Sequence, residues 1–120
     1  VMAKGDDIED RLIDFAVMII NLCAGLPTTV AGRHVAGQLV RSGTAPAAHY
    51  SEARGAESSR DFIHKLGICL KELNESSVWL KIVLRSKMSP DARVQPILAE
   101  CIELSRIVNS SIQTARRNAQ

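Results

Sequence analysis

Apolar residues recur along the chain in steps of three and four, which is the spacing of helices that bury one face. The pattern predicts four helices, over about 7–24, from 29–32 to about 54, over 59–86, and from 89–91 to about 117. Short turns between such helices favour antiparallel neighbours. We therefore predict an all-α, up-and-down antiparallel four-helix bundle with left-handed packing, formed as one domain over residues 1–120.

Polar residues mark where three of these helices should begin. Asp6, followed three positions later by Glu9, fits a capping box in which each side chain satisfies a free backbone donor. Ser58 with Asp61 predicts the start of the third helix in the same way. Ser89-Pro90 predicts the fourth, with Ser as the N-cap and Pro at the first helical position.

The second helix departs from the pattern of large apolar residues. Ser42, Pro46 and His49 occupy core-facing positions where the other helices carry Leu or Ile, and small residues around them favour close helix approach. Pro46 removes one backbone hydrogen bond, so we expect a kink at about 42–44. Gly25 is expected to end the first helix in the left-handed conformation.

The third helix has two faces that lean apolar. Its main seam runs through Phe62, Leu66, Cys69, Leu73, Ser76, Leu80 and Val83, and a second stripe runs through Ile68, Glu72, Glu75, Trp79 and Ile82. Two such faces imply contacts on two sides of one helix. One side belongs to the bundle, and the other suits a second subunit.

Composition narrows the class of protein. The chain is 46% apolar but only 3% aromatic, which fits a helical core of Leu, Ile, Val and Ala. No apolar run is long enough to span a membrane, and the N-terminus lacks the features of a signal peptide. Cys23, Cys69 and Cys101 lie at apolar helical positions, which favours reduced, buried thiols in a cytoplasmic protein.

The formal charge of +2 is too small to indicate nucleic-acid binding by itself, but the basic residues are clustered. Arg85, Lys87 and Arg93 lie near the last turn, and Arg106, Arg116 and Arg117 follow toward the C-terminus. Clustered Lys and Arg attract a phosphate backbone without reading bases. A solvated face, or a helix end whose dipole these charges complement, is the alternative.

Candidate chemistry is confined to the second and third helices. His49 and Glu52 with Glu72 and Glu75 suggest a di-metal site, but the set has one His too few and the reverse order. The simpler interpretation is a structural polar network that fixes these helices together, formed by Arg41, Glu52, Lys71, Glu72 and Glu75, with Lys71 pairing Glu75 one turn away. An enzyme using Glu52, Glu72 and Glu75 would lack a matched acid and base.

The same region resembles a bacterial family of four-helix bundle proteins, the 23S rRNA-intervening sequence proteins. The matching residues are Arg41-Ser42, Pro46, Glu52, Ser58, Asp61-Phe62, Lys65-Leu66, Lys71-Glu72, Glu75 and Trp79-Leu80. His49 departs from the Asn that is common in the family. The resemblance implies a homopentameric ring, and a relationship to accessory proteins of diversity-generating retroelements that bind nucleic acid and a reverse transcriptase.

These observations predict a non-enzymatic, cytoplasmic, self-associating accessory or scaffold protein that needs no cofactor and binds RNA or DNA. The nucleic-acid contacts are expected from Arg41, Lys71, Arg85, Lys87, Arg93, Arg106, Arg116 and Arg117. The alternative is a structural module for protein–protein interaction without a nucleic-acid role.

Overall fold

The computed structural model describes residues 5–120, so the expectation about the extreme N-terminus lies largely outside it. These residues form four α-helices: α1 (Asp6–Ala24), α2 (Val30–Arg54), α3 (Ser59–Ser86) and α4 (Asp91–Asn118). Each helix packs on the next, and α4 returns to α1 through a less extensive contact. The predicted all-α four-helix bundle is confirmed, while the left-handed packing stays a prediction.

One continuous core runs along the inside of the bundle. The largest side chains with almost no exposure come from all four helices: Leu12, Phe15, Ile19, Leu22, Leu39, Leu66, Leu73, Leu80, Val83, Val94, Leu104 and Val108. Most predicted seam positions are buried as expected. In α2, however, the next buried residue after Pro46 is Tyr50 and not the predicted His49. The inward-facing position lies four residues beyond Pro46 instead of three.

The middle of α2 is tightly packed because its inward residues are small. A Cβ atom added to Gly43 would lie 2.8 Å from the side chain of Ile19 in α1. On the side toward α3, the hydroxyls of Ser42 and Ser76 lie 2.9 Å apart, and both serines are fully buried. A larger residue at either position would force α2 away from a neighbouring helix.

Side chains cap two helix starts. Ser58 Oγ accepts a hydrogen bond from the backbone N–H of Asp61 at 3.0 Å, as predicted for α3. In α2, Thr29 Oγ1 accepts from the N–H of Gly32 at 3.1 Å. Both contacts satisfy donors that a helix N-terminus leaves without an intrahelical partner.

The other two predicted caps are wrong. The N-cap of α1 is Gly5, which has φ 93°, and the carboxylates of Asp6 and Glu9 turn instead to Arg54 of α2. An ion pair with a guanidinium on the adjacent helix replaces the capping box. The fourth helix begins one residue later than predicted, at Asp91, with Pro90 as its N-cap.

The end of α1 also differs from expectation. Gly25 has φ −100° and is not left-handed, although its N–H donates to the carbonyl of Leu22 at 3.1 Å. Arg93 donates to the carbonyl of Asn21 at 2.9 Å, so a side chain satisfies part of this helix end. The left-handed cap belongs to Lys87, at the end of α3, with φ 60°.

α2 is continuous through Pro46, and its predicted kink at 42–44 stays a prediction. Within residues 5–120, no helix is both long and apolar enough to cross a membrane.

Candidate nucleic-acid interface

The predicted polar network forms around Arg41. Its guanidinium donates to Glu72 at 3.1 Å and also binds Glu75, joining α2 to α3. Glu75 additionally accepts a hydrogen bond from the indole N–H of Trp79 at 3.0 Å. The ring of Trp79 in turn meets His34 of α2 edge-on, with centroids 5.8 Å apart. Three of the five predicted members therefore come together, and Trp79 and His34 extend the cluster.

The remaining two members lie outside this cluster. Lys71 makes no ion pair within residues 5–120, and the expected Lys71–Glu75 pair is absent there because Arg41 and Trp79 occupy the Glu75 carboxylate. Glu52 lies 3.9 Å from the imidazole Nδ1 of His49, one helical turn away on α2. The network is thus narrower than predicted.

The same geometry bears on the metal and enzyme alternatives. Glu72 and Glu75 are both held by the Arg41 guanidinium, so their oxygens are directed to a cation that the chain itself supplies. Among the described residues, no group of three or more His, Cys, Asp or Glu side chains has a metal-binding arrangement. Glu52, which faces His49, does not join the other two carboxylates.

The three cysteines are free and buried. Burial raises the pKa of the Cys23 thiol to about 11, and those of Cys69 and Cys101 to about 12. The buried thiols of Cys69 and Cys101 donate to the carbonyls of Pro46 and Leu73. A protonated, buried thiol is a poor nucleophile, which argues against cysteine catalysis.

Several of the predicted nucleic-acid contacts hold structural roles. Lys87 pairs with Asp91 at 3.0 Å. Arg93 binds the carbonyl of Asn21 at the end of α1, and Arg117 binds the hydroxyl of Thr114 at 3.3 Å. Lys87 and Arg93 also lie at the end of the bundle opposite Arg117, because α3 and α4 are antiparallel. The eight predicted residues therefore do not form one patch.

A groove between α3 and α4 carries a more coherent set of groups. It has a volume of about 380 Å³ and is lined by Leu70, Asn74, Ser77, Ile102, Ser105, Arg106 and Asn109. Amides, hydroxyls and one guanidinium supply the polar atoms, and no carboxylate is among the lining residues. Arg106 approaches Glu103 at 3.5 Å, but both side chains remain largely in solvent.

Basic residues extend this groove beyond its lining. Lys81 follows Ser77 by one turn of α3, which keeps it near the same side of the helix. Arg85 follows one turn later and is rotated toward Val78, by roughly 80° from Ser77. Within residues 5–120, neither Lys81 nor Arg85 has an acidic partner. Arg116 continues the basic residues along α4, two turns beyond Asn109.

Sequence reasoning identified Arg85, Arg106 and Arg116 but missed Lys81 and the neutral lining. The four-residue spacing of Ser77, Lys81 and Arg85 was a usable signal. The pairing of α3 with α4 was needed to bring Asn74 and Asn109 into the same groove.

A larger cleft of about 790 Å³ lies where α1 begins and the second half of α4 runs, and it shares Arg106 with the groove. Tyr50, Arg54 and Phe62 form one part of its lining, and the last turns of α4 form the other. Its lining contains neither His nor Cys. Arg54 is already engaged by Asp6 and Glu9, so this cleft offers no evident reaction centre.

The model of the 23S rRNA-intervening sequence proteins matches residues 7–110, which span all of α2 and α3 and most of α1 and α4. The chain belongs to the 23S rRNA-intervening sequence protein family. The predicted family resemblance is confirmed.

A solved structure agrees with the family match. A protein of unknown function from the S23 ribosomal protein family of Bacteroides thetaiotaomicron is 34% identical, with a TM-score of 0.79. The similarity covers 88% of this chain and 97% of that protein. No curated protein matches the chain at a significant level. Family membership thus rests on both sequence and fold, and neither comparison describes an enzyme.

Proposed function

We propose that this member of the 23S rRNA-intervening sequence protein family is a non-enzymatic, self-associating accessory protein of the cytoplasm that binds RNA or DNA. The α3–α4 groove is the observation that carries the proposal. It combines Arg106 with neutral amides and hydroxyls, and it continues into Lys81 and Arg85 without a carboxylate in its lining. This set of groups suits a phosphate backbone better than a peptide or a metal ion.

The binding mode follows from these groups. Lys and Arg release counterions when they neutralise phosphates, which gives salt-dependent affinity with little sequence preference. Amides such as Asn74 and Asn109 donate to phosphate or sugar oxygens and fix the position of the strand. With few aromatic residues in the chain, base stacking contributes little, so we expect recognition of the backbone.

Self-association would increase the affinity. A groove with three or four cations binds weakly alone, but several copies on one assembly act together on a long nucleic acid. We take the assembly to be a homopentamer, as the family resemblance implies. A reverse transcriptase as a further partner belongs to the same proposal and rests on the resemblance to retroelement accessory proteins.

Charge reversal at the groove tests the binding site. We expect Lys81→Glu, Arg85→Glu and Arg106→Glu together to lower affinity for a structured RNA by at least tenfold in low salt and to flatten its salt dependence. Fluorescence anisotropy with a labelled RNA measures this at two salt concentrations. Lys87 is left out of the variant because it pairs with Asp91, and Arg93 because it holds α1.

The matched control carries the same change of net charge elsewhere. Arg33→Glu, Arg60→Glu and Lys71→Glu alter three exposed cations outside the groove that make no ion pair within residues 5–120. An equal loss of affinity in the control would show a general charge effect and would refute the groove as the binding site. If the wild-type protein does not bind RNA at low salt, the proposal of nucleic-acid binding is refuted.

A second candidate function is supported by exposed apolar residues. Ile13, Val17 and Ile20 of α1 are each between 46% and 49% exposed, and such a stripe suits a protein partner. A structural interaction module without a nucleic-acid role would still bind its protein partner in the variant with Lys81, Arg85 and Arg106 changed to Glu.

A further inference from the structure

The larger cleft, where α1 begins and the second half of α4 runs, has the size of a small-molecule site. Its volume of about 790 Å³ falls within the range of pockets that hold organic ligands. The wall formed by α4 carries short side chains, among them Ser110, Ser111, Thr114 and Ala115. Leucine, isoleucine or valine, which α4 buries elsewhere, would partly fill this space. The short residues of α4 therefore keep the cleft open.

Aromatic residues are concentrated at this cleft. The chain contains two Phe, one Tyr and one Trp, and both Tyr50 of α2 and Phe62 of α3 line the cleft. Of the other two, Phe15 is fully buried in the core and Trp79 belongs to the polar network between α2 and α3. Tyr50, Phe62 and Ile107 of α4 give the cleft an apolar surface that suits a flat ring.

The hydroxyl of Tyr50 is available to a ligand. Tyr50 is only 8% exposed, yet its hydroxyl makes no hydrogen bond within residues 5–120. No fully enclosed side-chain oxygen or nitrogen of these residues lacks a partner, so this hydroxyl opens into the cleft that Tyr50 lines. Burial raises the pKa of the Tyr50 phenol, which keeps it protonated and able to donate. A ligand with an acceptor atom would supply the missing bond.

The charged groups around the cleft are already paired. Arg54 binds Asp6 and Glu9, and Arg106 approaches Glu103 at 3.5 Å. The cleft therefore has no excess charge for an ionic ligand. The remaining polar lining is neutral and comprises Tyr50, Ser110, Ser111, Thr114 and Asn118. Hydroxyls and an amide suit an uncharged group that both donates and accepts hydrogen bonds.

Arg106 connects the cleft to the α3–α4 groove, because it lines both. Its side chain is 75% exposed, and its pair with Glu103 is a weak surface contact that a phosphate can replace. A phosphate bound to Arg106 in the groove therefore lies at the border of the cleft. The base of that nucleotide is a flat, uncharged ring with donor and acceptor atoms on its edge. This is the chemistry that the cleft accommodates.

We propose that the cleft takes one unpaired nucleobase of the strand whose phosphates bind the groove. The ring lies against Phe62 and Ile107, and the Tyr50 hydroxyl donates to its edge. This inference rests on the nucleic-acid binding proposed above and deepens it, because the ligand becomes an unpaired strand. The groove still supplies most of the affinity, and one base per copy adds to it. A duplex would use the groove alone, since removing a base from the stack costs free energy.

Removing the Tyr50 hydroxyl tests the proposal without disturbing the fold. Tyr50→Phe keeps the ring, and because the hydroxyl has no partner in the protein, the variant should melt at the wild-type temperature or above it. We expect it to bind a short, labelled single-stranded RNA about three- to tenfold more weakly, with an unchanged salt dependence. Fluorescence anisotropy measures both quantities. The matched probe is the same strand with abasic sites, which keeps the phosphates and should bind both proteins equally.

Filling the cleft provides a second test. Ala115→Leu places a larger side chain in the α4 wall, so it should weaken binding of the intact strand at least threefold and leave binding of the abasic strand unchanged. Ala92→Leu is the control, because it makes the same change at an exposed position of α4 outside the cleft. It should bind both strands as the wild type does.

Failure of this inference is distinguishable from failure of the groove. The groove variant with Lys81, Arg85 and Arg106 changed to Glu should bind both strands more weakly, and no change for either strand would refute the groove. Equal affinity of the wild type for intact and abasic strands, or unchanged binding by Tyr50→Phe and Ala115→Leu, would overturn the cleft as a base site. Adenosine monophosphate that binds as tightly as the intact strand would assign the cleft to a free nucleotide and overturn its link to the strand.

Discussion

At the scale of single residues, close packing in the middle of α2 depends on small side chains that let the neighbouring helices approach. Gly43 permits contact with Ile19, and Ser42 permits a hydrogen bond with Ser76 across a fully buried interface. Both serines can be buried because their hydroxyls are paired, which offsets the cost of removing them from water. Glycine has a low helix propensity and therefore lowers the intrinsic stability of α2. The contact of Gly43 with Ile19 in α1 compensates for this loss.

Two glycine-to-alanine changes should therefore have opposite effects. Gly43→Ala should lower the free energy of unfolding by about 1–3 kcal/mol, because the new methyl group would overlap Ile19. Gly37→Ala, at a helical position where a Cβ atom would meet nothing within 4 Å, should raise it by about 0.5–1 kcal/mol. Urea unfolding followed by circular dichroism measures both. A stabilising Gly43→Ala would contradict the packing described here.

At the scale of elements, helix ends are held by neighbouring helices more than by their own caps. Arg54, at the end of α2, binds Asp6 at 2.7 Å and Glu9 at 3.3 Å in the first turn of α1. Arg93, near the start of α4, donates to the backbone carbonyl of Asn21 in the last turn of α1. The contacts of Arg54 explain why the capping box predicted for Asp6 and Glu9 does not form.

Removing the first of these contacts should loosen one end of α1. Arg54→Ala should speed amide hydrogen exchange in the first turn of α1, while exchange in the middle of α3 should change little. Exchange followed by mass spectrometry of peptides from both regions measures the difference. Lys65→Ala, which removes a pair with Asp61 within α3, is the control and should leave α1 unaffected. Equal exchange of the α1 peptide in both variants would show that Arg54 does not hold this end.

At the scale of the whole molecule, charge and thiol chemistry are distributed over the bundle. The acidic residues of α1 and the unpaired cations of α3 give opposite sides of the structure opposite signs, although the total charge is only +2. Three helices contribute a cysteine to one core, with Cys23 in α1, Cys69 in α3 and Cys101 in α4. Global unfolding exposes all three thiols at once.

Stability should therefore fall in alkaline solution. An exposed thiol in the unfolded chain ionises around its ordinary pKa of 9.0, whereas burial raises the pKa of Cys69 and Cys101 to about 12. The folded state then binds more protons than the unfolded state above about pH 9, so the free energy of unfolding decreases as pH rises. At about pH 10.5 each of these thiols accounts for a loss of roughly 2 kcal/mol.

Denaturant unfolding in the presence of a reductant, between about pH 8 and pH 10.5, measures this decrease. The double variant Cys69→Ala and Cys101→Ala should start less stable but lose stability less steeply as pH rises. Parallel slopes for wild type and variant would show that the buried thiols do not govern the alkaline response.

The sequence by itself determined the helices and most of the residues that face the core. Three- and four-residue spacing located all four helices to within a residue or two of Asp6–Ala24, Val30–Arg54, Ser59–Ser86 and Asp91–Asn118, because burial of one helical face imposes that period. The family resemblance was also available from residues on α2 and α3. Predictions of helix ends from local sequence were wrong where a side chain of another helix made the contact instead. Arg54 binds Asp6 at the start of α1, and Arg93 binds a carbonyl at its end.

Only the tertiary structure decided which polar residues share a surface. Lys87 and Arg93 look alike in sequence to Lys81 and Arg106, yet the first two are bound by Asp91 and by the carbonyl of Asn21, while the last two border one groove. A side chain's partners depend on which helices are neighbours and on how far those helices are shifted along their axes. The periodic pattern of apolar residues specifies neither of these. Sequence therefore determined most of what is buried, and helix packing decided which charges remain available to a partner.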